Sequence, residues 1–235
     1  TISVVHPDML KGGWKFDNSY KDATEDHLFG FNYLREVYLQ ADKTITTTVT
    51  VPILWDKKTN TIVNNESSEI IRMLNTNFND LTNNQLDFYP KDRREEIDKI
   101  NEKIYHSVNN GVYKSGFAKT QETYDSSVTA LFDTLDELND LLGKSKYLVG
   151  DSITEADLRL VPTLLRFDIV YVTHFKCNKK RIKDYKNLSR YTKELYKLPA
   201  IKETTNLDHI KRHYYYSHDT INPYRILPLG PDEIF

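Results

Sequence analysis

Cysteine is scarce in this sequence: Cys177 is the only one among 235 residues, which excludes a disulfide within the chain. A lone thiol fits a reducing compartment, so we expect a cytoplasmic protein. The sequence also lacks a run of about 20 apolar residues, the length that a membrane-spanning helix needs. The formal net charge is −2, without the broad basic field that attracts nucleic acids or membrane surfaces. We therefore predict neither a nucleic-acid partner nor a membrane partner.

The spacing at which hydrophobic residues recur changes along the chain. Before residue 79, short β-type runs alternate with helical segments; the runs are Ile2–Val5, Val49–Leu54 and Ile62–Val63, and the clearest helical segment is Glu25–Ala41. A polar stretch at 79–90 has the composition of a linker. Thereafter the patterns are helical, at about 92–110, 121–143, 154–175 and 183–197. They predict an α/β domain over residues 1–78 and an all-helical domain over residues 91–235.

The start of the third of these later helices carries a capping signal. Thr154 stands at the N-cap position with Asp157 three residues later, which is the spacing of a capping box. The residues that follow, up to Val172, are largely apolar on every side. We therefore predict that this helix lies buried at the centre of the second domain, and that its cap serves folding and has no chemical role.

The segment 51–76 is the most informative part of the first domain. Val51-Pro52-Ile53-Leu54-Trp55-Asp56 is an apolar run opened by proline, and a second short run ends at Glu66-Ser67-Ser68, before a helical pattern. This order predicts strand, turn, strand and helix. A cis bond at Pro52 would leave the backbone of Val51 free for an extended peptide ligand. Glu66 and Ser67 would lie at a helix start, where unpaired amides and hydroxyls accept an anion. The alternative is an ordinary edge proline and an ordinary helix cap.

Histidines are the candidate metal ligands. His209 and His213 are spaced i, i+4 and His218 follows them, while His174 and Cys177 are spaced i, i+3. Neither set has a cluster of acidic residues or a cysteine pair to complete a site. We predict no metal, and assign the histidines to solvent or to hydrogen bonds with the backbone.

Several long strings carry a more specific signal. They are Asn64-Asn65-Glu66-Ser67-Ser68-Glu69-Ile70-Ile71-Arg72, Val108-Asn109-Asn110-Gly111-Val112-Tyr113-Lys114 with Gly116-Phe117-Ala118, Arg166-Phe167-Asp168 with His174-Phe175-Lys176-Cys177-Asn178, and His209-Ile210-Lys211-Arg212-His213-Tyr214-Tyr215 with Ile221-Asn222-Pro223. The strings resemble those of the glutathionyl-hydroquinone reductases, which are Xi-class, omega-like glutathione transferases. The resemblance runs from Ile2 to about Pro231. It implies a glutathione transferase fold, in which a thioredoxin-like domain precedes a helical domain.

The resemblance also implies thiol chemistry, with glutathione as co-substrate. In the family a cysteine attacks the sulfur of a glutathionylated hydroquinone, releases the hydroquinone and is regenerated by glutathione through disulfide exchange. That cysteine lies in a Cys-Pro-Trp motif on the first βα turn, and these 235 residues contain no such motif. We expect either a longer protein that supplies the first βα unit with its cysteine, or a rearranged N-terminal region.

Cys177 is the one sulfur nucleophile in the sequence. A thiolate there would be favoured by its basic neighbours, which are Lys176, Lys179, Lys180 and Arg181. Its surroundings, however, match a segment far along the family's second domain. We therefore predict that Cys177 is a free thiol without a catalytic role.

Residue by residue, the resemblance assigns a glutathione site. Trp14 matches the tryptophan that covers bound glutathione, and Val51 would pair with the cysteinyl backbone. Glu66 and Ser67 would hold the γ-glutamyl end.

One departure concerns charge. Where the family has Gly-Arg, this chain has Thr47 and Thr48. If the arginine contacts a carboxylate of glutathione, its loss removes about 1.5–3 kcal/mol and weakens binding about tenfold or more.

An aromatic cleft with phenol donors suits a hydroquinone, because rings pack on its faces and hydroxyls stabilise the departing carbon. Tyr113 and Tyr214 stand in the most distinctive strings, and we predict that they are catalytic; further candidates are Tyr105, Tyr124 and Tyr215. The chain has 16 tyrosines, so a structural role is the alternative for each.

Two functions follow from these patterns. The first is a homodimeric enzyme, both transferase and oxidoreductase, that reduces glutathionyl-hydroquinones with a cysteine supplied from outside these residues. The second is a non-catalytic module of the same fold that binds glutathione conjugates or a protein partner. A Cys-Pro-Trp segment ahead of Thr1 would distinguish them.

Overall fold

The computed structural model describes residues 1–231; the last four residues of the predicted helical domain, 232–235, lie outside the described part. The chain divides into two compact units, residues 1–84 and the residues from Gln85 onward. Between residues 91 and 231 it forms helices and loops and no strand. Within the described range, no helix has both the length and the apolarity that crossing a membrane would require.

The first unit holds a small antiparallel sheet between two helices. Its elements are α1 (Leu34–Ala41), β1 (Leu54–Asp56), β2 (Thr61–Asn64) and α2 (Ser67–Thr76), followed by a 3₁₀ turn at Asn79–Leu81. In the sheet Trp55 lies opposite Ile62. The order strand, turn, strand, helix is as predicted, with the first strand starting at Leu54. Side chains from α1 form the centre of the core and are surrounded by apolar residues of the loops and the sheet, namely Trp14, Phe16, Phe31, Ile45, Val49, Ile53, Trp55 and Ile62.

The helix predicted over Glu25–Ala41 was wrong in its first half, because α1 begins only at Leu34. Asp26 organises the preceding residues as a loop: its carboxylate accepts the N–H groups of Leu28, Phe29 and Phe31, at 2.9, 3.1 and 3.2 Å. Gly30 has a φ of +71°, a left-handed conformation that interrupts a helix. A side chain that bonds the local backbone competes with helix formation, and here it prevails.

Of the predicted strands, Ile2–Val5 is absent and Val49–Leu54 is largely replaced by a loop. Val4, in the predicted strand Ile2–Val5, exchanges bonds of 2.9 Å with Thr24 but joins no ladder among residues 1–231. The run Val49–Leu54 contributes only its last residue to β1. The backbone N–H and C=O of Thr50 pair instead with the hydroxyl of Tyr38, and Pro52 has no N–H to offer.

The second unit is helical over its described residues. Its helices are α3 (Arg94–Ile104), α4 (Gly111–Gly116), α5 (Gln121–Leu142), α6 (Glu155–Arg166), α7 (Lys186–Tyr196), α8 (Pro199–Glu203) and α9 (Leu207–Ser217). Four of these, α3, α5, α6 and α7, correspond to the predicted helices, whereas α4, α8 and α9 were not predicted. The predicted helices over 92–110 and 154–175 change winding: π-helical turns at Tyr105–Asn109 and Phe167–Tyr171 follow α3 and α6.

The capping box of α6 is confirmed. Asp157 is fully buried and one carboxylate oxygen accepts the N–H of Thr154 at 2.8 Å. Its other oxygen accepts the N–H of Leu148 at 3.0 Å and the hydroxyl of Tyr191 at 2.6 Å. The cap therefore also joins α6 to α7 and to the loop before α6. This network and the apolar faces of α5 and α6 stabilise the scaffold that holds α4 and α9.

Candidate functional site

Val51 presents an open backbone in the first unit. The side chain is 41% exposed, and the Val51–Pro52 peptide bond is cis. Within residues 1–231, neither the N–H nor the C=O of Val51 takes part in a hydrogen bond. Adjacent donor and acceptor groups of this kind are what an extended peptide pairs with.

Glu66 and Ser67 form the start of α2. Glu66 is the N-cap: its Oε1 accepts the N–H and the hydroxyl of Ser68, at 3.2 and 3.1 Å. Among the described residues, Oε2 of Glu66 and the N–H and hydroxyl of Ser67 have no partner, and both residues are exposed. These atoms could receive the ammonium and the carboxylate of one amino-acid end.

Trp14 belongs to the same unit and is partly buried against the residues of α1. Its carbonyl accepts the N–H of Leu34 at 2.9 Å, which attaches the Trp14 loop to the start of the helix. Thr47 and Thr48 are exposed in the loop between α1 and β1. All the residues predicted for the glutathione site thus lie in the first unit.

In the second unit the two predicted catalytic tyrosines meet, although 101 positions separate them. The hydroxyl of Tyr113, on α4, lies 2.5 Å from that of Tyr214, on α9. A third hydroxyl, that of the buried Tyr171, lies 2.9 Å from Tyr214. We call Tyr113, Tyr214 and Tyr171 the tyrosine chain. Tyr171 was missed, although a tyrosine in an otherwise apolar helix must find a hydrogen-bond partner, and that could have pointed to it.

Phe175 packs on the tyrosine chain, stacked on Tyr171 with ring centroids 5.4 Å apart. Gly116 permits this arrangement, since a Cβ there would lie 2.2 Å from the Phe175 ring. The outer face of the cluster consists of Tyr113 and Phe117, which are 39% and 44% exposed. Both π-helical turns lie next to the cluster in sequence: one precedes α4, and the other contains Tyr171. Turns of this type are frequent at functional sites.

Burial raises the pKa of Tyr113, and the neighbouring Tyr214 raises it further. The side chain is partly exposed, and its hydroxyl is in contact with that of Tyr214. Burial likewise raises the pKa of Tyr171. Tyr113 and Tyr171 therefore stay protonated at neutral pH and can act as hydrogen-bond donors.

The other candidate tyrosines make different contacts. Tyr124 donates to the carbonyl of Lys176 at 2.6 Å, and Tyr215 to the carbonyl of Ile169 at 3.2 Å. Tyr105 is 41% exposed and lies against the ring of His106. The structure does not bring these three hydroxyls to the tyrosine chain.

Cys177 is fully buried and its Sγ faces the carbonyl of Phe175 at 3.8 Å. Burial raises the pKa of its thiol to about 12. The expectation that basic neighbours favour a thiolate was wrong, because desolvation raises the pKa and the opposing effect comes from a hydrogen bond with Ser115. A reactive thiolate at this position is strongly disfavoured.

Two of the histidines pack against each other. His174 and His218 are in contact, with Nε2 of one 3.1 Å from Nδ1 of the other. Burial is the main cause that lowers the pKa of each to about 4, so both are neutral at physiological pH. In the part of the chain that the structure describes, no group of three or more His, Cys, Asp or Glu side chains has the arrangement of a metal site.

Comparison with known proteins shows which class of protein this chain belongs to. Residues 121–194 match the family described as glutathione S-transferase, C-terminal domain. The glutathione-bound structure of YqjG, a glutathione transferase homologue from Escherichia coli K-12, aligns with a TM-score of 0.96 at 53% identity, over 97% of this chain and 74% of that one. The protein therefore has the predicted glutathione transferase fold.

Closer comparison identifies the family. Glutathionyl-hydroquinone reductase YqjG of Escherichia coli K12 is 52% identical over 231 residues, which are 98% of this chain and 70% of that protein. The glutathione transferase Xi of Phanerochaete chrysosporium is 50% identical with a TM-score of 0.97, over 99% of this chain and 80% of that one. This protein belongs to the glutathionyl-hydroquinone reductases, the Xi class of glutathione transferases. The resemblance drawn from the sequence is confirmed.

Proposed function

We propose that this protein reduces glutathionyl-hydroquinones to hydroquinones, with glutathione as co-substrate. The observation that carries the proposal is the 2.5 Å contact between the hydroxyl of Tyr113, which is partly exposed in an aromatic cluster, and that of the buried Tyr214. Two adjacent phenols can hydrogen-bond to a hydroxylated ring, while neighbouring rings pack on its faces. Family membership supports the same activity, since a relative is named as a glutathionyl-hydroquinone reductase.

The reaction requires a cysteine thiolate, which we propose lies in a Cys-Pro-Trp segment outside residues 1–235. The thiolate attacks the sulfur of the conjugate, an enzyme–glutathione disulfide forms, and the electrons of the carbon–sulfur bond stay with the ring. The ring carbon then takes up a proton, and the hydroquinone leaves. The thiolate of a second glutathione attacks the mixed disulfide, which restores the enzyme thiolate and yields glutathione disulfide. Tyr113 and Tyr214 would stabilise the negative charge that develops on the ring.

Glutathione itself would bind to the first unit. We assign its cysteinyl backbone to Val51 and its γ-glutamyl end to Glu66 and Ser67, with Trp14 covering the tripeptide. Support comes from the unpaired backbone of Val51 and from the unpaired atoms at the start of α2.

Glutathione titration by calorimetry tests these assignments. Glu66→Gln keeps an oxygen that can cap α2 but removes the charge, so we expect the Kd to rise about tenfold or more. Glu66→Ala should weaken binding at least as much, and Ser67→Ala should raise the Kd by a few-fold through loss of a neutral hydrogen bond.

Glu95→Ala is the control, because Glu95 is likewise an exposed glutamate near a helix N-terminus, in the first turn of α3 in the second unit. The Glu95→Ala variant should bind glutathione with the same Kd as the unaltered protein. Unchanged affinity in both Glu66 variants and in Ser67→Ala would remove these residues from the site.

Thr48→Arg should strengthen glutathione binding about tenfold, because it would restore a charge-assisted contact to a carboxylate. Thr47→Arg adds the same charge one residue away and serves as the control. Equal gains in the two variants would indicate general attraction of the anion, and no gain at Thr48 would show that this position does not reach glutathione.

We further propose that the protein works as a homodimer in the cytoplasm, without nucleic-acid or membrane partners. The support is the family resemblance, the near-neutral net charge of −2 and the single cysteine. A non-catalytic binding module is the alternative function. It would bind glutathione as described but show no turnover when a Cys-Pro-Trp segment is supplied.

A further inference from the structure

One phenol connects the two backbone segments that we assign to glutathione. The hydroxyl of Tyr38 donates to the carbonyl of Thr50 at 2.9 Å and accepts from the N–H of Thr50 at 3.3 Å. It also accepts from Nδ2 of Asn65 at 3.0 Å, and the same Nδ2 lies 3.3 Å from Oγ1 of Thr50. We call Tyr38, Thr50 and Asn65 the Tyr38 hub.

Two members of the hub directly precede the binding segments in sequence. Thr50 precedes Val51, whose backbone is open, and Asn65 precedes Glu66, the N-cap of α2. The Tyr38 side chain is only 3% exposed and packs with Leu34 and Val37 in the core of the first unit. Because the ring is fixed in the core, its hydroxyl fixes the position of the loop at Thr50 relative to the start of α2.

We propose that Tyr38 is a positioning residue for glutathione, whose hydroxyl sets the relative placement of the Val51 backbone and the start of α2. This inference rests on the proposed function, because it takes those two segments as the binding site. A ligand that contacts both segments binds more tightly when their spacing is already set, since less order must then be created on binding. Without the hydroxyl, the polar groups of Thr50 and Asn65 lose their common partner, and only the 3.3 Å contact between Nδ2 of Asn65 and Oγ1 of Thr50 still joins the two segments, so they are held less firmly.

Calorimetric titration of the full chain with glutathione tests the inference. Tyr38→Phe keeps the ring in the core and removes only the hydroxyl, and we expect the Kd to rise about five- to tenfold. Asn65→Ala removes the side-chain amide of an exposed member of the hub, and it should raise the Kd as well. The double variant should bind about as well as the weaker single variant, because both changes break one network. Tyr89→Phe, which removes a hydroxyl that donates to Asp98 at 2.6 Å in the second unit, should leave the Kd unchanged.

Amide NMR spectra distinguish positioning from general destabilisation. In Tyr38→Phe and in Asn65→Ala, the signals of both Val51 and Ser67 should shift before any ligand is added, while signals from the second unit stay in place. Unchanged affinity in Asn65→Ala would overturn the inference even if Tyr38→Phe folded poorly, and additive losses in a folded double variant would overturn it as well. If the unaltered protein itself fails to bind glutathione, the proposed function fails and the inference with it. If the unaltered protein and Tyr38→Phe bind equally well, only the inference fails.

Discussion

Residues 1–235 by themselves should turn over glutathionyl-hydroquinones at least about a thousandfold more slowly than the same residues preceded by a Cys-Pro-Trp segment. Disulfide exchange needs a thiolate, and the one thiol in these residues is buried with its pKa raised to about 12. At pH 7 such a thiol is almost entirely protonated. The difference in rate is measured with glutathione in excess, by using chromatography to monitor the release of hydroquinone.

Cys177→Ser is the control for this experiment, and it should leave the rates of both versions unchanged. Robust turnover by residues 1–235 that disappears in Cys177→Ser would make Cys177 the nucleophile. It would also mean that the second unit opens enough in solution to expose a side chain that is fully buried in the structure.

Tyr113→Phe and Tyr214→Phe should each lower kcat about a hundredfold in the version that carries the Cys-Pro-Trp segment, because each removes a hydroxyl that stabilises developing charge. The double variant should be only slightly slower than either single one, since the two hydroxyls lie 2.5 Å apart and act as a pair. Glutathione affinity should not change. Steady-state kinetics with a glutathionyl-hydroquinone separates kcat from KM.

Tyr224→Phe removes the hydroxyl of a tyrosine that is 85% exposed, and it should retain full activity. The pH profile adds a second check. The pKa of Tyr113 is raised above its ordinary value of 10.0, so the phenol remains a donor as the pH rises, and its ionisation should cause no loss of kcat below pH 10. Full activity in both single variants would exclude these phenols from the mechanism.

Local patterns in the sequence determined much of the fold. The segment 51–76 shows its strand, turn, strand and helix through two short apolar runs and a helix cap at Glu66. The capping box at Thr154 and the apolar stripe of α5 are equally local, because each depends on residues within a few turns of one helix. Local signals were misleading at Glu25–Ala41, where the Asp26 carboxylate holds a loop against the helical pattern.

Family membership was also readable from the sequence, since the strings that carry it are contiguous. They singled out Tyr113 and Tyr214, although nothing in their spacing showed that the two hydroxyls meet across 101 positions. That contact depends on how α4 and α9 pack on the core, which sums many long-range contacts and leaves no local signature. Tyr171, from a third segment, completes the chain for the same reason.

Which polar side chains are buried depends on the tertiary structure alone. The sequence places Cys177 among basic residues, a setting that favours a thiolate, whereas the fold removes its sulfur from water and reverses the direction of the pKa shift. Tyr38 reads as one apolar position of a helix, and only the folded chain shows that its hydroxyl joins Thr50 to Asn65. Residue types and local order follow from the sequence, while the solvation and hydrogen-bond partners of a polar atom depend on neighbours that only the folded chain brings to it.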